Sequence, residues 1–311
     1  MASFLSRYER GEHEQVWAEL LALDAQIREE PLYSDALAVA HETMRRVRYN
    51  IELLIPRLIE LGYRFGYGWV TEQQGYDAGL VASVARLETK RPSMPWSPPS
   101  PDVQEQLAYL EQLIGGPLPL SLQAWYEVVG QADFVGELPA RWGFTPETTA
   151  WAQALKAFLE EHPFPMPSFR DPEEYELEQA GEEEIEPPWA AQERVYNKHI
   201  HLLEPLYVLP LEEVVAEVHQ QLAHRHYYPR LFMPIAPDHA FKYWRAGGGR
   251  YPIFVPNAAI DGKLHLEWHD TTFVGYLRIC CRWAGLPELA YFAEERGKEE
   301  FHTLTEGLLP L

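Results

Sequence analysis

The chain has 311 residues, enough for about two domains, and its 46% hydrophobic and 13% aromatic content supplies a sizeable core and excludes global disorder. A formal charge of −21 repels phosphate backbones and leaves no polybasic patch for anionic lipid, so neither a nucleic-acid partner nor a membrane surface is expected; solubility and attraction to basic partners are favoured instead. The only two cysteines, Cys280 and Cys281, are adjacent, which excludes a disulfide framework and a paired-cysteine zinc motif and fits a reducing, cytoplasmic setting.

Residues 1–90 read as a helical segment. The start, Met1 to Arg10, turns charged at once and lacks the apolar core of a signal peptide. Met44, Val47, Ile51, Leu54, Leu58 and Leu61 recur at three- and four-residue steps, which predicts one face of an amphipathic helix that stops near Gly62, with Pro56 a point for a kink. The apolar run Ile51 to Val70 is broken by Arg57, Glu60 and Arg64 and is not a membrane span. Residues 91–102 hold Arg91-Pro-Ser-Met-Pro-Trp-Ser-Pro-Pro-Ser-Pro101, a stiff proline-rich connector and the first domain boundary.

Val103, Leu107, Leu110 and Ile114 mark the next helix, ended by Gly115-Gly116 and Pro117. Ser121 is then expected to cap a helix that runs to Gly130, with Leu120 and Trp125 as its hydrophobic staple. Trp151 to Glu161 reads as a helix, and residues 165–190 as a Glu-rich, solvated insertion. Leu211, Val214, Val215, Val218 and Leu222 predict a further helix. After it the period shortens to alternating apolar runs at Leu231–Ile235, Phe241–Trp244, Tyr251–Val255 and Lys263–Trp268, with Gly247-Gly-Gly249 as a turn. The connections are too short for helical crossovers, so an antiparallel sheet is expected. Thr271 is expected to cap a closing helix with Phe273, Leu277 and Cys280 inward, and residues 291–311 read as a C-terminal tail.

Two of these stretches resemble the SUKH superfamily, in its Smi/Knr cell-wall-assembly-regulator-like branch. The first is Leu113 to Gly130, with Gly116, Leu118, Pro119, Trp125 and Gly130 in family-like positions. The second holds Pro237, Asp238, Lys242, Gly247, Gly248, Tyr251, Glu267, Phe273, Tyr276 and Leu277. The resemblance covers residues 103–290 apart from the acidic insertion. It implies an α+β domain with helices packed on a curved antiparallel sheet. It also implies a protein-binding role, either as an immunity protein that blocks a toxin by stoichiometric binding or as a regulatory scaffold, and it carries no shared catalytic residues. Where related sequences often read Trp-Gly-Gly-Phe-Pro, this one has Trp283-Ala-Gly-Leu-Pro287.

Few residues suggest chemistry. On a strand, His265, Glu267 and His269 would share one face, a possible two-histidine, one-carboxylate metal set and the basis of an alternative reading as a metal-dependent enzyme. The plain reading is a solvated strand face with Asp270 capping the next helix. His219 and His226 would share a helical face that His224 leaves, which fits a polar helix end. Asp238-His239 has no serine elbow beside it, and Gly247-Gly-Gly-Arg250 precedes a strand rather than the helix a phosphate loop needs. Neither nucleophilic catalysis nor a cofactor is expected. Glu173, Glu174, Glu176, Glu182, Glu183 and Glu184 are the candidate contacts to a basic protein, weighed against a loop that only keeps the chain soluble.

Overall fold

The computed structural model describes residues 3–66, 94–137, 204–238, 242, 249–267, 269–287, 289 and 295–311. The expected helix at Trp151–Glu161, the acidic insertion with its six glutamates, and Gly247 and Gly248 lie outside the described residues. The same holds for Phe241–Trp244 apart from Lys242.

Helices α1 (Phe4–Glu9) and α2 (His13–Ala22) and a 3₁₀ turn (Asp24–Arg28) lead into α3 (Leu32–Leu61). The inward face of α3 is the predicted one, with Met44, Val47, Ile51, Leu54 and Leu58 buried. It runs on through Pro56 and ends where Gly62 takes φ 94°, a left-handed conformation that costs glycine little. The next elements are β1 (Arg64–Phe65), β2 (Trp96–Ser97), α4 (Val103–Ile114), α5 (Leu120–Val128), β3 (Gln131–Asp133) and β4 (Gly136–Glu137). β5 (Tyr207–Val208), α6 (Leu211–Ala223), β6 (Phe232–Pro237), β7 (Arg250–Phe254), α7 (Phe273–Arg282) and α8 (Glu295–Thr305) are the remaining elements among the described residues.

The architecture is α+β. Every strand pair among the described residues is antiparallel: β1 with β4, β2-β3-β5 as a three-stranded sheet, and β6 with β7, which pair from Phe232↔Phe254 to Pro237↔Arg250 with an irregularity between Pro234 and Ala236. Part of the expected connector is therefore sheet, since Trp96 pairs with Ala132 and its indole N–H donates to Val129 O at 2.8 Å. Helix α6 is fixed to β6 by the buried Gln221 amide, which donates to Phe232 O (2.9 Å) and accepts from Phe232 N (3.0 Å).

A continuous apolar core runs from Tyr8 to Leu311. Helix α3 packs against α5, so the N-terminal helices share that core with the later elements. Residues of the expected C-terminal tail also fold inward. Helix α8 lies on α3, and buried Asn50 pairs with Leu309 through Nδ2→O (2.9 Å) and N→Oδ1 (2.7 Å). No helix among the described residues is long and apolar enough to cross a membrane.

Three local expectations are corrected. Ser121 is not a cap: α5 starts after Pro119, and the buried Ser121 hydroxyl donates to Asp261 Oδ1 at 2.7 Å. The cap of α7 is Thr272 rather than Thr271, with Thr272 Oγ1 accepting from Gly275 N at 3.2 Å. Residues 263–267 form no strand, and Trp268 lies outside the described residues. Leu266 adopts φ 65° and Asp270 φ 49°, which breaks the period of two, and Leu264 N donates to Thr271 O (3.0 Å) across a tight turn.

Candidate functional site

The two family-like stretches meet in space. Asn257 N donates to Pro117 O (2.9 Å), Leu120 N to Ala259 O (3.3 Å) and Ser121 N to Ile260 O (2.8 Å). Asp261 sits at the centre of this contact. Its Oδ1 accepts from Ser121 Oγ and Gly262 N, and its Oδ2 accepts from Val274 N at 3.0 Å in the first turn of α7. Gly116 is required by proximity, because a Cβ there would lie 2.7 Å from Pro256 Cβ. Leu118, Trp125, Tyr251, Phe273, Tyr276 and Leu277 are buried, with Trp125 and Phe273 edge to face at 5.5 Å. Pro237 is buried at the end of β6. Asp238 closes the following turn, accepting from Gly249 N on its side chain and from Lys242 N on its carbonyl. Gly130 takes φ 90° against the Ser97–Pro99 backbone. These motif residues pack the core and close turns.

Chemistry gathers beside them, where Lys242, Glu204, Glu267, His269 and Tyr276 converge. Lys242 Nζ donates to Glu204 Oε1 at 2.8 Å and to Tyr276 Oη at 3.2 Å, and lies 5.5 Å and 5.3 Å from the ring centres of Tyr251 and Tyr276. The Lys242 and Glu204 side chains are 0% and 1% exposed. Glu267 accepts from His269 N at 2.9 Å through Oε2, while its Oε1 lies 2.7 Å from His269 Nδ1. The left-handed Leu266 and Asp270 bracket this turn and bring both side chains to one place. Burial pushes the Glu204 carboxyl up, Lys242 opposes that, and the nearby Glu267 adds to it. Burial likewise raises the Tyr276 hydroxyl and the Cys280 thiol, so neither is an activated nucleophile at neutral pH.

The anticipated metal set is therefore rearranged. His265 turns away, its ring edge-on to Phe254 at 4.5 Å, while its backbone N–H donates to Pro252 O at 2.9 Å. Glu204 takes its place, and donor atoms of Glu204, Glu267 and His269 all lie within 4.8 Å of one another. Nothing local in the sequence marks Glu204, which precedes a proline in no periodic pattern. The other histidines do not form the predicted face. Helix α6 ends at Ala223, so His226 lies beyond it, and His219 Nε2 meets Tyr109 Oη at 2.8 Å.

Compared with protein-family models, with curated proteins and with solved structures, the chain matches none.

Proposed function

We propose that the chain is a non-catalytic protein-binding module of SUKH type, of the Smi/Knr branch, with helices arranged on a curved antiparallel sheet. It acts in the cytoplasm and neutralises a basic toxin by stoichiometric binding. What supports this reading is that three motif residues able to do chemistry, Lys242, Glu267 and Tyr276, face inward and are engaged with neighbouring side chains: Lys242 with Glu204 and Tyr276, Glu267 with His269. Residues held this way stabilise a scaffold and leave binding to its surface. A surface needs only shape, a few anchors and complementary charge to block a partner. The charge of −21 steers such a partner if it is basic, and Glu173, Glu174, Glu176, Glu182, Glu183 and Glu184 are its proposed contacts.

The test is growth rescue with a binding readout. The product of the gene adjacent to this one is expressed alone and together with this chain. The reading expects arrest alone, rescue on co-expression, and a stoichiometric complex that weakens steeply between low salt and roughly 0.5 M, where exposed pairs are screened. Neutralising the six glutamates should slow association. A harmless neighbour, or rescue without a complex, sinks the immunity reading; a host regulatory protein in the complex replaces it with a scaffold.

A further inference from the structure

We propose that Glu204, Glu267 and His269 form a binding site for a divalent transition-series cation, in exchange with the Lys242 ammonium. The inference concerns the interior of the chain rather than its partner-binding surface.

Three observations carry it. Two carboxylates and one imidazole bring donor atoms within 4.8 Å of one another. Glu204, 1% exposed, has one oxygen on Lys242 Nζ, while its Oε2 is buried with no hydrogen-bond partner among the described residues. A buried carboxylate oxygen left without a donor is costly, and an ion is one of the few things that explains it. The burial agrees: among the described residues, the carboxyls of Glu204 and Glu267 are both enclosed beside the single ammonium of Lys242. The donor set selects the class of ion. An imidazole with two carboxylates suits zinc or manganese, whereas calcium and magnesium prefer all-oxygen shells. Lys242 sets the affinity, because its ammonium already holds Glu204. When a cation takes that carboxylate, the ammonium keeps Tyr276 Oη at 3.2 Å and the two tyrosine rings. Bound there, the ion staples the chain just before β5 to the turn that enters α7.

The experiment uses the full chain without a polyhistidine tag, stripped with chelator and dialysed against graded Zn²⁺ and, separately, Mn²⁺, with bound metal counted and melting followed in parallel. Saturable uptake of one ion per chain is expected, with a rise in melting temperature. E204Q and H269Q should each weaken uptake by at least about tenfold. The double variant H219Q/H226Q, at exposed histidines outside the cluster, should leave it unchanged. K242M should bind at least about tenfold more tightly and gain more in melting temperature from the ion, an outcome that misfolding does not produce. His269 is 25% exposed, so H269Q keeps the test open if E204Q fails to fold. No saturable uptake by the wild-type chain overturns the site. Uptake lost in H219Q/H226Q but kept in H269Q overturns it as well, and a K242M chain that binds no tighter overturns the exchange.

Discussion

Replacing Asp261 by alanine should be among the most damaging single changes in the chain. The carboxylate is 4% exposed and accepts from Ser121 Oγ at 2.7 Å, Gly262 N at 2.9 Å and Val274 N at 3.0 Å. D261A strands all three donors and removes a negative group from the N-terminus of α7. A hydrogen bond to a charged group contributes about 1.5–3 kcal/mol, and the helix terminus adds about 0.3–1 kcal/mol. These contributions overlap, so the expected loss is about 3–5 kcal/mol, the range for breaking a buried charged network. That is a large part of a total reserve of about 5–15 kcal/mol. S121A removes one donor and leaves the other two satisfied, for about 1 kcal/mol. The assay is urea unfolding followed by tryptophan fluorescence and far-UV circular dichroism, with coincident transitions required. The double variant D261A/S121A should cost less than the sum of the singles by about 1 kcal/mol, since no hydroxyl is then stranded. A D261A loss below about 1 kcal/mol, or strict additivity, would refute the view that Asp261 joins the two motif halves.

Three further outcomes are expected. G116A forces a Cβ to 2.7 Å from Pro256 Cβ and 3.1 Å from its Cγ, on a ring that cannot rotate away; thermal unfolding should show a loss of about 1–3 kcal/mol. N50A removes both bonds to Leu309 and should cost about 1–3 kcal/mol, with hydrogen exchange at the Leu309 amide accelerated more than in the middle of α3. The Glu19 carboxyl, held by the Arg7 guanidinium at 2.5 and 2.8 Å, is lowered from 4.5 to about 2. The folded state therefore binds this proton less readily than the unfolded one, so the contribution is present above 4.5 and lost as pH falls toward about 2. The advantage of the wild-type chain over E19Q should shrink across that window in acid unfolding curves. An advantage that grows on acidification contradicts the pairing.

Much of the helical framework was legible because a helix writes its buried face at short, regular steps. The residues from Met44 to Leu61 carry that period, and Gly62 supplies the stop. The same holds for α4, ended by Gly115 at φ 76°, and for α6. Strands β6 and β7 were found within a residue or two at their starts, since alternation between turn residues is also a local signal. The resemblance in residues 113–130 and 235–278 picked out positions that the structure uses for packing, such as Gly116 against Pro256 and Trp125 against Phe273.

Where local rules misled, a distant partner was the reason. Ser121 has the chemistry of a helix cap, yet its hydroxyl goes to Asp261 because that carboxylate is brought against it from far along the chain. Lys263–Trp268 alternates like a strand in sequence, but the bond from Leu264 N to Thr271 O and the left-handed Leu266 turn the chain within its described residues. That turn separates His265 from His269, so a metal set drawn on one strand face could not survive it.

The sequence by itself determined the class of elements, the ends of the main helices, an antiparallel sheet with the positions of β6 and β7, and the strong negative charge, all of which depend on near neighbours or on sums over the chain. Only the tertiary structure decided that Glu204 joins Lys242, Glu267 and His269, that Asp261 joins two motif halves, and that Leu309 closes on Asn50. These contacts span loops whose length carries no directional information, and burial of charge selects the partners only once the core has excluded water.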